Sequence, residues 1–310
     1  MFIEKRREGT LIKYFLAYTY RDNRKIKKIL RYLGSNLNET ELHEKSKIME
    51  IQIKNEILEF STEVFNFILS KNQINKLDKY NEKIKILHLD KNEWKLFTEK
   101  FTYNTNAIEG SEVRLDEVPA ILHKTKAENL DEIETKGVAN ALEFIKETTE
   151  DLSLDLIKRI HKLCFEGSKH FAGQFRTIEV VIKDSQGVIV HQGTPVSNLN
   201  KELIKFIEWY KKNKNSFKPL VLAAIIHNQF EEIHPFQDGN GRVGRILLNF
   251  ILMKNKYPPI NVLLKDRAEY YQTLQIYHKE GNIRPTLRFL IKQYQKTIKQ
   301  VTTINKKQRK

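Results

Sequence analysis

Residues 231–250, "EEIHPFQDGNGRVGRILLNF", place a polar, glycine-rich turn between two apolar segments. The run that leads into the turn, "LVLAAIIHNQFEEI", and the run that leaves it, "RVGRILLNF", have the composition and spacing of helices that pack in a core. Pro235 disfavours continuation of the first helix, because proline lacks a backbone N–H and restricts the residue before it. The stretch therefore predicts a helix, a loop and a second helix that starts near Gly241.

The loop has the composition of a phosphate-binding site. A glycine-rich turn at a helix N-terminus offers free backbone N–H groups and the positive end of the helix dipole. Gly239 and Gly241 allow a phosphate to approach the backbone, because neither carries a Cβ. Arg242 and Arg245 are three positions apart, so they share one helix face and can donate to phosphate oxygens. A turn with a purely structural role would need none of these groups.

Two further side chains of the loop are suited to metal binding and proton transfer. Asp238 is a carboxylate suited to Mg²⁺ shared with phosphates, and His234 can accept a proton near neutral pH. The apolar Phe236 is expected to fix the loop to the core. No Gly-Lys-Ser/Thr follows the glycines, so this is not a Walker A loop, and "HNQFEEIH" lacks the His-Glu-x-x-His spacing of zinc proteases. His227 is therefore expected to pack or hydrogen-bond within its helix.

The composition favours a folded, mainly helical, soluble and cytoplasmic protein. Hydrophobic residues make up 40% of the 310 positions, with only 7 prolines and 12 glycines. The single cysteine, Cys164, excludes an internal disulfide framework and is expected to be a buried packing residue. No apolar run approaches the roughly 18 residues needed to cross a bilayer, and "MFIEKRREGT" turns charged where a signal peptide would stay apolar.

The N-terminal residues 1–34 read as a small antiparallel sheet, with "RDNRK" as a turn signal. They are rich in lysine and arginine, and the whole chain carries a net charge of +15. Two interpretations stay open. Either this sheet presents a nucleic-acid-binding face, or it is an accessory ribbon with a solvated basic side in a chain biased towards lysine.

The pattern from residue 38 to about residue 100 is helical, and further amphipathic helices are expected up to the C-terminal region. One segment, "FRTIEVVIKDSQGVIVHQG" at residues 175–193, breaks this rhythm with β-branched runs around "DSQG". It predicts a β-hairpin. A two-stranded ribbon is only marginally stable by itself, so a helical protein that keeps one is expected to use it for recognition.

The motif "HPFQDGNGRVGR", residues 234–245, resembles the HPFxxGNGRxxR signature of the Fic (Fic/Doc) family at every fixed position. The resemblance extends over about residues 90–295. "AGQFR" resembles the lead-in to the family's flap, and the predicted hairpin resembles the flap itself. It implies a mainly α fold, a Fic-type helical core with a β-hairpin flap, beside the small N-terminal sheet. The expected regions are an accessory sheet at 1–36, a helical linker at 37–90, a catalytic domain at 91–298 and a basic tail at 299–310.

The activity implied by this resemblance is Mg²⁺-dependent transfer of AMP from ATP to a hydroxyl of a protein Ser, Thr or Tyr. His234 would be the general base, and Asp238 would hold Mg²⁺. The residues implied in ATP binding are Asp238, Gly239, Asn240, Gly241, Arg242 and Arg245, with Tyr270 or Tyr271 near the adenine. The flap residues implied in docking the target by strand addition are Thr177, Ile178, Val180, Ile182, Val188 and Val190. The segment after the motif helix has one residue more before "EG" than the family usually has, so no adenine contact is assigned to His278.

A second motif lies upstream, in "TYNTNAIEGSEV" at residues 102–113. From the residues alone, Thr105 to Glu109 is one helical turn and Gly110 is a helix stop, which an ordinary helix end would also show. The motif resembles the family's inhibitory pattern, Ser/Thr-x-x-x-Glu-Gly/Asn. That resemblance implies that Glu109 pairs with Arg245, the side chain that would otherwise bind the γ-phosphate.

The expected function is therefore an autoinhibited protein adenylyltransferase that acts on other proteins and on itself. One alternative on the same site is removal of AMP, or transfer of another phosphate-linked group. An alternative of another class is a nucleic-acid-binding regulator that uses the N-terminal sheet. The resemblance also suggests a homodimer, and no membrane partner is expected.

Overall fold

The computed structural model describes residues 1–22, 25–65, 67–183 and 189–307 of the 310-residue chain. These residues fall into two compact units, Met1–Lys76 and Leu77–Lys310. The predicted turn "RDNRK" includes residues 23–24, which lie outside the described ranges.

The first unit contains the predicted N-terminal sheet. Strands β1 (Phe2–Glu8), β2 (Leu11–Asp22) and β3 (Lys25–Ser35) pair antiparallel in the order β1-β2-β3. The sheet is followed by helix α1 (Glu39–Phe60), and apolar side chains of β2, β3 and α1 form one small core. The buried members of that core are Leu16, Ile29, Leu33, Ile53 and Ile57. The prediction of a small antiparallel sheet is confirmed.

Several basic side chains of this sheet are paired with glutamates. Glu4 contacts both Arg6 and Lys28, and Glu8 contacts Lys13. These pairs are solvent-exposed, so each contributes little to stability. The nucleic-acid face expected for the sheet stays a prediction.

The helical prediction for residues 38–100 is wrong over residues 61–70, and residues 84–90 are not helical either. At residues 61–70 the chain forms a hairpin of β4 (Ser61–Val64) and β5 (Phe67–Ser70), followed by α2 (Lys71–Asp78). The segment "STEVFNFILS" is rich in β-branched and aromatic residues, which favour strands. Phe65 takes a positive φ of 53° at the turn, a conformation that no helix interior contains.

The second unit is mainly helical, as predicted, and its helices are α3 (Lys91–Ile108), α4 (Val118–His123), α5 (Leu130–Glu147), α6 (Leu154–Phe165), α7 (Val196–Asn213), α8 (Pro219–Ile233), α9 (Asn240–Lys254), α10 (Arg267–Glu280) and α11 (Arg284–Lys307). Short 3₁₀ turns occupy Asn81–Lys83 and Leu264–Asp266. Over the ranges that the structure describes, no helix combines the length and the apolarity needed to cross a membrane.

Helices α8 and α9 form the centre of this unit and carry the glycine-rich loop between them. Pro219 is at the start of α8, where its missing N–H leaves no helix hydrogen bond unmade. The two helices approach closely at Gly244 of α9, where an added Cβ would lie 2.2 Å from Oε1 of Glu231. Helices α5 and α6 pack against α9, and Cys164 of α6 is fully buried, as predicted.

The predicted hairpin near residue 180 is present in its described part. Strand β6 (Val181–Lys183) pairs antiparallel with β7 (Ile189–Gln192), with Ile182 opposite His191. Of the expected docking residues, Ile182 and Val190 are in these strands, whereas Thr177, Ile178 and Val180 precede β6. Val188 lies outside the described residues. Exposed apolar side chains mark the hairpin and the chain just before it, and these are Ile178, Val181, Ile182 and Ile189.

Candidate active site

The loop between α8 and α9 is held in one conformation by backbone geometry and a side-chain clasp. α8 ends at Ile233, and His234 adopts the left-handed conformation with φ 53° while its N–H donates to the carbonyl of Phe230. Gly239, with φ 83°, precedes α9, which starts at Asn240, one residue before the predicted start. The Asn240 amide accepts from the N–H of Phe236 and donates to the carbonyl of the same residue, both at 2.8 Å.

Arg176 connects this loop to the base of the hairpin. Its side chain is fully buried, and Nε donates to the carbonyl of His234 at 2.8 Å. Nη1 donates to the carbonyl of Ile178 at 2.9 Å, and Nη2 donates to the carbonyl of Thr194. The backbone N–H of Arg176 also donates to the carbonyl of Pro235. A non-glycine residue at positive φ is strained, and these donors stabilise His234 in that conformation.

His234 is presented as a neutral base. Its Nδ1 lies 3.3 Å from the backbone carbonyl of Glu231, which can only accept, so the proton of the neutral ring belongs on Nδ1. Nε2 then carries the lone pair. Burial lowers the pKa of His234 to about 4, and the neighbouring His191 ring, 6.1 Å away, acts in the same direction.

His161 of α6 contacts the loop at Phe236 and Asp238. Its ring stacks on Phe236 with centroids 3.8 Å apart, and Phe236 is fully buried as expected. Nδ1 accepts from the N–H of Gly173 at 2.8 Å, so Nε2 carries the proton and donates to the carbonyl of Asp238 at 3.1 Å. Burial lowers the pKa of His161 to about 4, which keeps the neutral tautomer that both hydrogen bonds require.

Asp238 belongs to a charged cluster at the start of α9. Its carboxylate is about half exposed and accepts from Lys169 at 2.8 Å and from the N–H of Gly239 at 2.6 Å. Lys169 also contacts Glu134 of α5 at 3.1 Å, and Glu134 pairs with Arg242. Burial raises the pKa of Asp238, but Lys169 and Arg242 outweigh that effect and lower it. The carboxylate is therefore ionised and accessible.

Arg242 is placed differently from the other predicted phosphate ligands. Its guanidinium lies 4.4 Å from the ring of Phe165, and the side chain is almost fully buried against Glu134. It approaches Asp238 only to 3.9 Å. Its position favours support of the loop more than direct contact with a ligand.

Arg245 and Glu109 form an ion pair at the N-terminus of α9. Nη2 of the fully buried Arg245 donates to Oε1 of Glu109 at 2.6 Å, and Nε donates to the hydroxyl of Thr105 at 2.7 Å. Burial disfavours the charge of Arg245, but Glu109 outweighs it and raises the pKa of the guanidinium. The carboxylate of Glu109 lies directly over Gly241, because an added Cβ there would meet its Oε1 at 2.3 Å.

The end of α3 explains how Glu109 reaches this position. α3 stops at Ile108, Glu109 is its C-cap, and Gly110 follows with φ 97°. The predicted helical turn and helix stop are confirmed. Thr105 lies one turn earlier on α3, which is why both residues reach Arg245.

A buried polar group lies behind the ion pair. Burial raises the pKa of Glu231 to about 8, so this carboxyl is protonated at neutral pH. His227 is also buried, its pKa is lowered to about 4 by burial, and its Nε2 lies 3.0 Å from the hydroxyl of Tyr270. His227 is buried as expected, but its hydrogen bond is to Tyr270 of α10 and not within its own helix. Tyr270 directs its hydroxyl into the core.

These groups surround a cleft of about 780 Å³, a size typical of small-molecule sites. The predicted residues that line it are Glu109, Val180, Ile182, His234, Asp238, Gly239, Asn240, Gly241, Arg245, Tyr270 and Tyr271. Thr105, Gly110, Thr177, Ile178 and Arg242 are not among its lining residues. The free N–H groups of α9, a neutral imidazole and an exposed carboxylate meet in one cavity, which suits chemistry on a polyphosphate.

Comparison with known families supports this description. Residues 151–252 match the model of the Fic/DOC family. These residues form a Fic domain. The chain is 34% identical over 208 residues to protein adenylyltransferase Fic of Nematostella vectensis, across 63% of this chain and 47% of that protein. It is 31% identical over 214 residues to protein adenylyltransferase fic-1 of Caenorhabditis elegans, across 64% and 40%. The matches thus span about half the length of these relatives or less.

Solved structures share the fold. Fic-1 (residues 134–508) of C. elegans aligns with a TM-score of 0.61 at 22% identity, over 88% of this chain and 80% of that one. A Fic-domain signalling protein of Bacteroides thetaiotaomicron aligns with a TM-score of 0.60, also at 22% identity, over 74% and 97%. The mainly helical, Fic-like fold that the motif predicted is therefore confirmed.

Sequence reasoning missed Lys169, His161 and Arg176 as parts of the site. Lys169 and His161 have no local motif to mark them. Arg176 ends the quoted "AGQFR", but nothing in that segment indicates that its guanidinium reaches the carbonyls of the loop.

Proposed function

We propose that this chain is a Mg²⁺-dependent protein adenylyltransferase that transfers AMP from ATP to a protein hydroxyl. The observation that carries the proposal is the neutral, immobilised imidazole of His234 beside the exposed N-terminus of α9, in one cleft of a Fic domain. Relatives named protein adenylyltransferases at 31–34% identity support the same reaction.

The reaction assigns a task to each group. Nε2 of His234 accepts the proton of the target hydroxyl while that oxygen attacks the α-phosphorus of ATP. The bond from the α-phosphorus to the bridging oxygen breaks, and pyrophosphate leaves with the electron pair. Backbone N–H groups at Gly241 and its neighbours, which have no helix partner, stabilise the phosphate charge. Catalysis of this kind consists mainly of positioning and electrostatics.

The residues present fit a Mg²⁺ ion that is shared with the nucleotide. Mg²⁺ is commonly bound in proteins through one or two carboxylates together with substrate phosphates and water. Asp238 supplies one ionised, half-exposed carboxylate on the wall of the cleft, and it would hold the ion. A bound Mg²⁺ would neutralise phosphate charge. Lys169, which now contacts Asp238, would then keep its contact with Glu134.

The proposed acceptor is a protein segment that pairs with the hairpin. The exposed apolar residues Val181 and Ile182 both line the cleft. An extended segment added to this edge would bring a hydroxyl towards His234, with main-chain hydrogen bonds setting its position. Ser, Thr and Tyr of other proteins, and of this chain itself, are the proposed acceptors.

We also propose that Glu109 inhibits this reaction. Its carboxylate occupies the space over Gly241 and holds the guanidinium of Arg245. Both are positions that the terminal phosphates of ATP would need for an in-line arrangement. ATP bound with Glu109 in place would be displaced from the attack geometry, and small displacements can cost about 100-fold in rate.

The test is intact-mass spectrometry of the full chain after incubation with Mg²⁺ and ATP. We expect an AMP-sized adduct on Glu109→Gly, a weak adduct on the wild type, and none on Glu109→Gly combined with His234→Ala. Glu112→Gly, at an exposed glutamate three residues further on, is the matched control and should behave as the wild type.

Two outcomes would contradict the proposal in different ways. An adduct of equal yield on the wild type and on Glu109→Gly would remove the inhibitory role of Glu109. An adduct that persists in the double variant would remove the role of His234 as the base.

A further inference from the structure

One wall of the cleft carries a second group of ligand-type side chains, separate from the glycine loop. His191 of β7, Glu232 of α8 and His278 of α10 each bring one donor atom, and these atoms lie within 4.8 Å of one another. Among the residues that the structure describes, these three form the group of histidine, cysteine and acidic side chains close enough to share a metal ion. The proposed transfer reaction gives none of them a task.

The three side chains already converge on Glu232. Nδ1 of His278 lies 2.7 and 2.8 Å from the two carboxylate oxygens of Glu232. Nε2 of His191 lies 3.1 Å from the backbone carbonyl of Glu232. The two imidazole rings approach edge to face, with centroids 4.8 Å apart. A carbonyl contact of this kind is the usual way in which a protein orients a metal-binding imidazole.

The donor set suits a transition-metal ion and not Mg²⁺. Two imidazoles and one carboxylate bind Zn²⁺ at about 2.0–2.2 Å, usually with tetrahedral geometry that leaves a fourth position for water or a ligand. Such bonds put donor atoms roughly 3.4 Å apart. Since the donor atoms lie within 4.8 Å of one another, side-chain rotation would need to bring them closer by at most about 1.4 Å. Mg²⁺, by contrast, prefers oxygen donors alone.

We propose that His191, Glu232 and His278 form a binding site for a divalent transition-metal ion of the Zn²⁺ type. His191 and Glu232 are half-buried and His278 is exposed, so an ion has a path of entry from solvent. The site is distinct from Asp238, whose carboxylate lies with Lys169 at the start of α9.

A bound ion would join three separate elements of the cleft. His191 pairs with Ile182 in the hairpin, whereas Glu232 and His278 belong to helices. The ion would fix β7 against α8 and α10, and the His191 ring lies 6.1 Å from that of His234. This consequence rests on the proposed function: hairpin fixation and an added positive charge near the base should slow transfer to a protein target.

The first test is Zn²⁺ binding by the full chain, stripped with a chelator, in competition with a chromophoric zinc indicator. We expect one strong site per chain, with affinity reduced at least about 100-fold in each of His191→Ala, Glu232→Gln and His278→Ala, because loss of an outer-shell partner alone costs about 10–100-fold. His123→Ala, which removes an exposed histidine of α4, should bind as the wild type. Excess Mg²⁺ should change the affinity less than twofold.

The melting temperature and the affinities of the variants together decide whether the three residues form the site. Zn²⁺ should also raise the melting temperature of the wild type and not that of His278→Ala, which separates loss of the site from loss of folding. Unchanged affinity in all three variants would overturn the site, and so would an equal loss in His123→Ala.

Transfer assays in the Glu109→Gly background separate this inference from the proposed function. Zn²⁺ inhibition that disappears when His278→Ala is added would support the link between the ion and the hairpin. Equal inhibition with and without His278→Ala would overturn that link. Zn²⁺ binding that depends on the three residues would stand even if no variant transferred AMP, and in that case the proposed function alone would fail.

Discussion

The loop at residues 234–240 and the hairpin strands at residues 181–183 and 189–192 contribute to the same cleft, yet they differ in how they are held. In the loop, a side-chain clasp from Asn240, the guanidinium of Arg176 and the ring of His161 hold the backbone from three sides. The hairpin has strands of three and four residues and presents exposed apolar side chains. The loop is held by contacts with residues far away in the chain, whereas the described hairpin residues, 181–183 and 189–192, present apolar side chains to solvent.

The difference matches two kinds of task. A group that must accept a proton in a defined geometry benefits from a rigid loop, because misplacement by about 1 Å is costly. A surface that receives different segments by strand addition benefits from unpaired edges and little prior structure. Substitutions in the loop should therefore change stability and rate strongly, and substitutions in the hairpin should change target recognition alone.

The largest effect is expected at Gly239. Its φ of 83° is unfavourable for any residue with a Cβ, and an added Cβ would lie 2.3 Å from the ring of Phe165. Strain and overpacking together should reduce the free energy of unfolding of Gly239→Ala by about 3–4 kcal/mol. Chemical denaturation followed by circular dichroism measures this change.

Gly110→Ala is the matched control for that substitution. Gly110 also has a positive φ, 97°, but an added Cβ there meets no atom within 4 Å. We expect a loss of about 1–2 kcal/mol, from strain alone. Equal losses in the two variants would show that contact with Phe165 does not matter.

Burial of His227 in α8, the helix that leads into the loop, should make the stability of the protein sensitive to acid. His227 has a pKa of about 4 in the folded state because it is buried, below its ordinary value of about 6.5. Between pH 6.5 and 4 the unfolded chain binds a proton there and the folded chain does not, so stability present above pH 6.5 is lost as pH falls. His227→Gln should reduce this loss by about 3 kcal/mol, measured as unfolding free energies from pH 7.5 to 4.

Tyr270→Phe separates titration of His227 from its hydrogen bond. The substitution removes the hydroxyl that lies 3.0 Å from Nε2 of His227 but keeps the buried imidazole. Its unfolding free energy should keep the wild-type slope with pH. A slope that flattens as much as in His227→Gln would assign the effect to the hydrogen bond.

The third effect concerns the position of His234. Arg176→Met removes the donors to the carbonyls of His234 and Thr194 and keeps much of the buried side-chain volume. In the Glu109→Gly background, we expect kcat for AMP transfer to fall about 100-fold and KM for ATP to change much less. Steady-state kinetics with radiolabelled ATP measures both.

Arg159→Met is the control for that substitution, because Arg159 is more than half exposed on α6 and pairs with Glu150 at the surface. It should keep the parent's kcat. A kcat in Arg176→Met equal to that of Arg159→Met would show that the loop holds His234 in place without the guanidinium.

The sequence predicted the residues that line this site better than the buried side chains that hold those residues in place. The helix stop at Gly110, the fully buried Phe236 and the glycine loop follow from local chemistry over a few positions, and each is present. His161 and Lys169 contact Asp238, which lies 77 and 69 residues away in the chain, and nothing local marks such contacts.

The error at residues 61–70 has a related origin. Apolar residues in "STEVFNFILS" continue the helical spacing of α1, and only the β-branched and aromatic content, with a turn at Phe65, distinguishes a hairpin. Over a segment of ten residues, the spacing of apolar positions does not distinguish the 3.6-residue period of a helix from the two-residue period of a strand.

The smallest effect on stability, and the sharpest test of the comparison, is expected in the hairpin. Ile189 of β7 is 56% exposed, so Ile189→Thr should leave the unfolding free energy within about 0.5 kcal/mol of the parent. Threonine keeps the β-branched shape that strands favour and removes apolar contact area. In the Glu109→Gly background, KM for a protein target should rise several-fold while KM for ATP is unchanged.

Ile204→Thr is the control for this last substitution, because Ile204 is 44% exposed on α7, outside the hairpin. Transfer by that variant should equal transfer by the parent. If Ile189→Thr instead lowered stability by 2 kcal/mol or more, the hairpin would be as firmly packed as the loop. The contrast between a rigid reaction centre and an adaptable docking edge would then be wrong, and recognition of the target would have to rest on the helices around the cleft.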